Sequence, residues 1–214
     1  MLGEISLLYI GVIAVLKGLY GSRDVFGKYL STLVAVVLIY TPLFHVGIRK
    51  IQITFFEKDL SSLVRSLFYF TATSLVIFPL FLTAGHFYQK IFFARGPDFS
   101  AWNFSFEMVV VQLFLVALPE EFFFRGYLQT LIAARFPQKI RVGGFSLGRS
   151  VLITSFFFAL AHSLIAFQWW HFAIFFPSLV FGGLRERTNG LVAPILFHAA
   201  SNLAVAWIGA VYRY

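Results

Sequence analysis

The sequence predicts an all-α fold: one bundle of about seven membrane-spanning helices, forming a single domain over residues 1–214. Three observations predict it. Apolar residues make up 59% of the chain and charged residues only 12%, where a soluble domain carries about 25% charged residues. The mean hydropathy is +0.83. The apolar residues fall into seven runs, most of them near the roughly 20 residues that a membrane helix needs, and the cations gather in the short stretches between the runs.

Taken in order, the runs are residues 5–20, 30–48, 63–88, 104–134, 149–167, 169–185 and 191–212. Met1–Ser6, at the start of the first, holds Glu4 and no basic residue, so this run does not read as a cleavable signal. Phe55-Phe56-Glu57-Lys58-Asp59-Leu60, ahead of the third run, fits an interfacial amphipathic stretch or a plain loop. The fourth run is too long for one simple span; it reads as a membrane helix entering Pro119 and continuing as an amphipathic helix to Arg135. The sixth is short, and Trp169-Trp170 at its start suit an interfacial belt. Asn189-Gly190 reads as the turn into the seventh.

Zero cysteines exclude disulfides, thiolate metal sites and a cysteine nucleophile. The net charge of +8 belongs to loops facing anionic lipid rather than to nucleic acid. Arg49, Lys50, Lys58, Arg65, Arg135, Lys139, Arg141, Arg149, Arg185 and Arg187 fall on one side if all seven runs span; Arg23, Lys28, Lys90, Arg95 and Arg213 fall on the other. That asymmetry places the N-terminus in the cytoplasm.

The chemistry centres on Glu120 and Glu121, adjacent carboxylates inside an apolar run. One ionised side chain at the bilayer centre costs roughly 3 kcal/mol on insertion scales, and such residues mark functional sites. Glu121 and Arg125, four apart, share a helix face and can pair. Glu120 lies about 100° around the helix and is free to do other work. Pro119 frees the carbonyl of Leu115 and opens the helix locally. Phe158 and His162 on the fifth run, and His198 and Asn202 on the seventh, form two more four-residue pairs. Polar groups in lipid require one another, so these side chains are expected to meet in one cavity, with Glu120 facing His162, His198 and Asn202. A buried carboxylate beside an imidazole suits the activation of water, and Asn202 could donate to a developing oxyanion. Zinc on His162, His198 and a glutamate is the rival reading; its ligand types fit, but the His-Glu-x-x-His spacing is missing. Ser155, Ser163 and Ser201 read as ordinary helix-contact serines. His45, His86 and His171 read as residues of segment ends. Phe122-Phe123-Phe124 and Phe156-Phe157 read as lipid-facing or packing residues, and Phe158 as support for the His162 ring.

Glu120-Glu121-x-x-x-Arg125, Phe158-x-x-x-His162 and His198-x-x-x-Asn202 resemble three signature motifs of the CAAX protease and bacteriocin-processing family. This is a family of glutamic-type intramembrane proteases related to the Ras-converting CAAX endoprotease. The resemblance covers about residues 104–205, and a looser motif corresponds to Phe181-Gly182-Gly183. It implies Glu120 as general base, His162 as its helper in activating water, and His198 and Asn202 as binders of the substrate carbonyl. Glu121, Arg125 and Phe158 would support them. It implies no metal cofactor. The substrate would be a membrane-embedded or lipid-modified peptide or protein: a CAAX-like tail, a sorting tail or a bacteriocin-type peptide. The short chain resembles bacterial relatives, which places it in the cell membrane. A catalytically idle immunity or peptide-binding partner remains the alternative from another class.

Overall fold

A computed structural model describes residues 2–142 and 145–212. Arg213 and the side chains of Arg141, Trp169 and Trp170 lie outside the described residues. The chain is all-α apart from one short hairpin, and each of the seven apolar runs is a helix. They are α1 (Leu2–Gly21), α2 (Leu30–Arg49), α3 (Leu60–Phe93), α4 (106–135), α5 (Arg149–Ile165), α6 (Phe175–Thr188) and α7 (Val192–Val211). By length and composition, four stretches among the described residues can each cross a membrane: Gly3–Gly21, Arg23–Arg49, Leu60–Phe93 and Val192–Val211. At about 1.5 Å per residue, α4 is also long enough to cross, and α5 comes close. The α6 helix is short by itself, but the 3₁₀ turns of Trp169–Ile174 lengthen it by about 12 Å.

Loop contacts show which ends of the helices lie together. Arg65 donates to the Thr188 carbonyl (2.8 Å) and Arg185 to the Thr54 carbonyl (2.7 Å). The Gly148 N–H donates to Glu186 (3.3 Å). The connections between α2 and α3, α4 and α5, and α6 and α7 therefore share one end, as strict alternation of spans requires. At the other end, the Asp98 N–H donates to the Val211 carbonyl (2.8 Å).

Helix boundaries follow local chemistry. Phe55–Asp59 is non-helical, and Asp59 caps α3 by accepting from the Ser62 N–H at 2.7 Å while Ser62 Oγ accepts from the Asp59 N–H. The Ser62 N–H holds the Asp59 carboxyl below the usual carboxylate range. Asn189 closes α6 at φ 57°, the left-handed C-terminal position, and so makes the expected turn with Gly190.

Two features depart from the expected plan. Residues 135–149 are more than a loop: β1 (Lys139–Val142) pairs antiparallel with β2 (Phe145–Gly148). The helix also does not open at Pro119. It stays continuous, with one α-helical turn, Leu118–Glu121, set between two π-helical stretches, Val111–Ala117 and Phe122–Leu128. A proline leaves one carbonyl unpaired, and wider turns redistribute the bonds around it.

The core forms around the second π stretch. Phe122, Phe123 and Phe124 are all buried, so that run packs inside rather than facing lipid. Phe123, Phe124, Tyr127 and Leu128 meet Ile5, Tyr9, Val12 and Leu16 of α1 and Phe158 of α5. Phe156, half exposed, faces outward, and Phe157 packs against Tyr9 with ring centroids 4.8 Å apart and planes tilted by 56°. The α3 helix packs on α7 and α6 and leaves most of its apolar side chains exposed, as a helix bathed in lipid would.

Candidate active site

Three helices bring the motif residues together. Glu120 and Glu121 stand on the α-helical turn Leu118–Glu121 of α4, His162 near the end of α5, and His198 and Asn202 on α7. Glu120 Oε2 lies 3.8 Å from His162 Nε2 and 3.8 Å from His198 Nε2. That oxygen is buried and makes no hydrogen bond to a described protein atom. Both histidines are oriented through the other ring nitrogen. His162 Nδ1 meets the Phe158 carbonyl at 2.8 Å, and His198 Nδ1 meets Glu121 Oε1 at 2.8 Å. Each Nδ1 therefore carries a proton and donates it, and each Nε2 is turned toward Glu120. At 3.8 Å neither Nε2 is within hydrogen-bond distance of that carboxylate oxygen. Their spacing suits a small donor such as water held between them.

Glu121 is more than a brace. Fully buried, its Oε1 accepts from Arg125 Nη1 at 2.9 Å as well as from His198. Arg125, also fully buried, continues through Nη2 to Ser178 Oγ at 2.6 Å and to the Ser178 carbonyl at 3.2 Å. Its guanidinium lies between two aromatic faces, 4.3 Å from the Phe158 centroid and 5.0 Å from that of Phe181. Phe158 contacts the His162 ring at 4.6 Å, and Phe181 stacks on His198 at 4.6 Å and 14°. One buried cation thus ties Glu121, and through it His198, to the two rings that steady both histidines.

Asn202 does not meet Glu120 directly among the recorded contacts. Its Nδ2 donates to Gln112 Oε1 at 2.9 Å, on the first π stretch of α4. It does line the same space: a cavity of about 690 Å³ bounded by Glu120, His162, His198, Ser201 and Asn202 and otherwise by apolar side chains, among them Ile77, Phe78, Val180 and Val205. Glu120 and His162 also form part of a second cavity, of about 240 Å³, lined by Leu16, Tyr20, Leu30, Val34 and Leu38 of the first two helices and by His171. The serines near the site bond to their own helix: Ser163 to the Ala159 carbonyl and Ser201 to the Phe197 carbonyl. His45 pairs with the Tyr127 hydroxyl and His86 with that of Tyr212, both away from Glu120.

Sequence reasoning missed Gln112, Ser178 and His171. Gln112 carried a signal, being a lone amide in an apolar run. Ser178 carried none. His171 was read as a segment-end residue; its Nδ1 meets the His162 carbonyl at 3.1 Å, a contact between elements that spacing does not disclose.

The family model described as type II CAAX prenyl endopeptidase Rce1-like matches residues 101–204, which contain all three motifs. Residues 101–204 are Rce1-like. That match supports a CAAX-type intramembrane protease and, with the four long apolar helices, an integral membrane protein. No curated protein and no solved structure matches it. The Rce1-like region holds Gln112, Ser178, Phe181 and every motif residue, whereas the first two helices, which line the smaller cavity, lie outside it.

Proposed function

We propose that the protein hydrolyses a peptide bond of a membrane-embedded or lipid-modified peptide with a water activated by Glu120, without a metal. The observation that carries this reading is the placement of Glu120 Oε2 at 3.8 Å from both Nε2 atoms, at the wall of the large apolar cavity. A water held between Glu120 and His162 loses a proton to Glu120 as its oxygen adds to the scissile carbonyl carbon. His162 holds that water and assists the proton's movement. Asn202, and His198 in its protonated state, donate to the carbonyl oxygen as it gains charge. The proton held by Glu120 then passes to the amide nitrogen as the C–N bond breaks. General-base catalysis of this kind contributes about 10²–10⁴-fold. The cavity's apolar lining supports a substrate that brings its own hydrophobic anchor, such as a prenylated CAAX tail, or a sorting or bacteriocin-type peptide. We place the chain in a bacterial cell membrane with its N-terminus in the cytoplasm.

Glu120→Gln keeps the size of the side chain and removes the base. Cleavage of a fluorogenic farnesylated CAAX peptide should fall by at least about 10²-fold while thermal stability in detergent is retained. Full activity in that variant would sink the mechanism, and peptide binding that survives with no wild-type cleavage would favour the non-catalytic partner. For zinc, Glu120, His162 and His198 offer suitable donor types, but among the described residues no three such side chains are placed to hold a metal ion. Metal analysis and chelation decide between the two chemistries. Activity lost to a chelator and restored by zinc would overturn the metal-free assignment.

A further inference from the structure

We propose that Gln112 is a positioning residue that fixes the amide of Asn202 for the substrate carbonyl. The inference rests on the reading of Asn202 as a carbonyl donor. Asn202 Nδ2 donates to Gln112 Oε1 at 2.9 Å, across 90 residues and between two helices. The terminal torsion of an asparagine is broad and roughly two-fold, so the amide by itself has no preferred facing. In an apolar cavity a polar side chain on a helix turns back to the carbonyl one turn earlier. Ser201, the neighbour of Asn202, does so with Phe197. Gln112 holds Asn202 away from that alternative. An asparagine amide has two N–H donors; Gln112 engages one and leaves the other for a ligand in the cavity that Asn202 lines. Gln112 and Glu120 stand on the same continuous helix, in and just after the first π stretch. The base and the residue that orients the donor therefore move as one element, which keeps their spacing constant.

The test is a mutant cycle with purified protein and a farnesylated fluorogenic CAAX peptide. Gln112→Leu should lower kcat by roughly 10- to 100-fold, the usual cost of losing a supporting partner, with a smaller change in KM. Gln112→Glu keeps an acceptor at the same place and should restore most of the rate. In the Asn202→Ala background, Gln112→Leu should cost nothing further, because residues acting as a unit are not additive. Additive losses, or equal losses in the Leu and Glu variants, would overturn the positioning role while leaving Asn202 in place. Full activity in Asn202→Ala alone, or a wild type that does not cleave the peptide, would instead remove the reading on which the inference rests.

Discussion

Arg125 carries the heaviest structural demand of any single residue. It is a full cation with no exposure, held by one carboxylate, one serine and two rings. Removing one partner of such a pair leaves an uncompensated buried charge, which costs about 3–5 kcal/mol, whereas replacing both by apolar residues can be nearly neutral. Arg125→Leu should therefore lower the unfolding temperature sharply, and Glu121→Leu/Arg125→Leu should recover much of that loss. The double variant should nonetheless stay inactive, because His198 loses the acceptor of its Nδ1 proton. Thermal unfolding and peptide cleavage measured on the same preparations check both statements. An active double variant would show that orientation of His198 does not depend on Glu121. The Glu121–Arg125 contact was legible from four-residue spacing alone. The Glu121–His198 contact was not, because it joins residues 77 apart and nothing in either local sequence selects the partner.

At the scale of the element, α4 does what a straight α-helix could not. Two π stretches flank the turn that carries Glu120 and Glu121, and the second is buried along its whole length. Gly126 lies in it because no side chain fits. A Cβ there would stand 2.6 Å from Phe55 Cδ1 and 3.2 Å from Leu191 Cδ1, and Phe55 is itself stacked on Phe122 at 4.1 Å. Gly126→Ala should destabilise the protein by about 1–3 kcal/mol, the usual cost of overpacking, read as a lower unfolding temperature; an unchanged value would mean that Phe55 gives way freely. The cap of α3 has a pH signature. Asp59 has a folded-state pKa below its unfolded value, so its contribution is fully present above about pH 4 and is lost as pH falls through the lowered value. Stability in the acid range should decline less steeply in Asp59→Asn than in the wild type. Length and proline placement marked α4 as unusual, but widened turns leave no periodic signature in so uniformly apolar a run. The strands Lys139–Val142 and Phe145–Gly148 carry a sequence signal in their alternating apolar and polar residues.

At the scale of the whole molecule, the shared end of the α2–α3, α4–α5 and α6–α7 connections makes orientation a single binary question. The cation count carries the proposal that the N-terminus faces the cytoplasm. The absence of cysteine makes the check clean, since one introduced thiol is the only label site. Cysteines replacing Lys28 or Lys90, both exposed, should react with a membrane-impermeant maleimide in intact cells. A cysteine replacing the exposed Lys139 should react only after the membrane is opened. The reverse pattern would invert the orientation.

Composition and segment length, by themselves, determined a helical membrane bundle. In hydrocarbon every backbone polar group must be satisfied within its own segment, so long apolar runs have little choice but to be helices. The sequence also determined the chemically unusual residues, because charge and imidazole are costly enough at that depth to stand out. Only the tertiary structure decided how these residues divide the work. Glu121 joins Arg125 to His198, Glu120 stands between two Nε2 atoms, and Asn202 turns to Gln112. All but the Glu121–Arg125 pair cross between helices, and their geometry depends on turn widths and packing that no local pattern encodes.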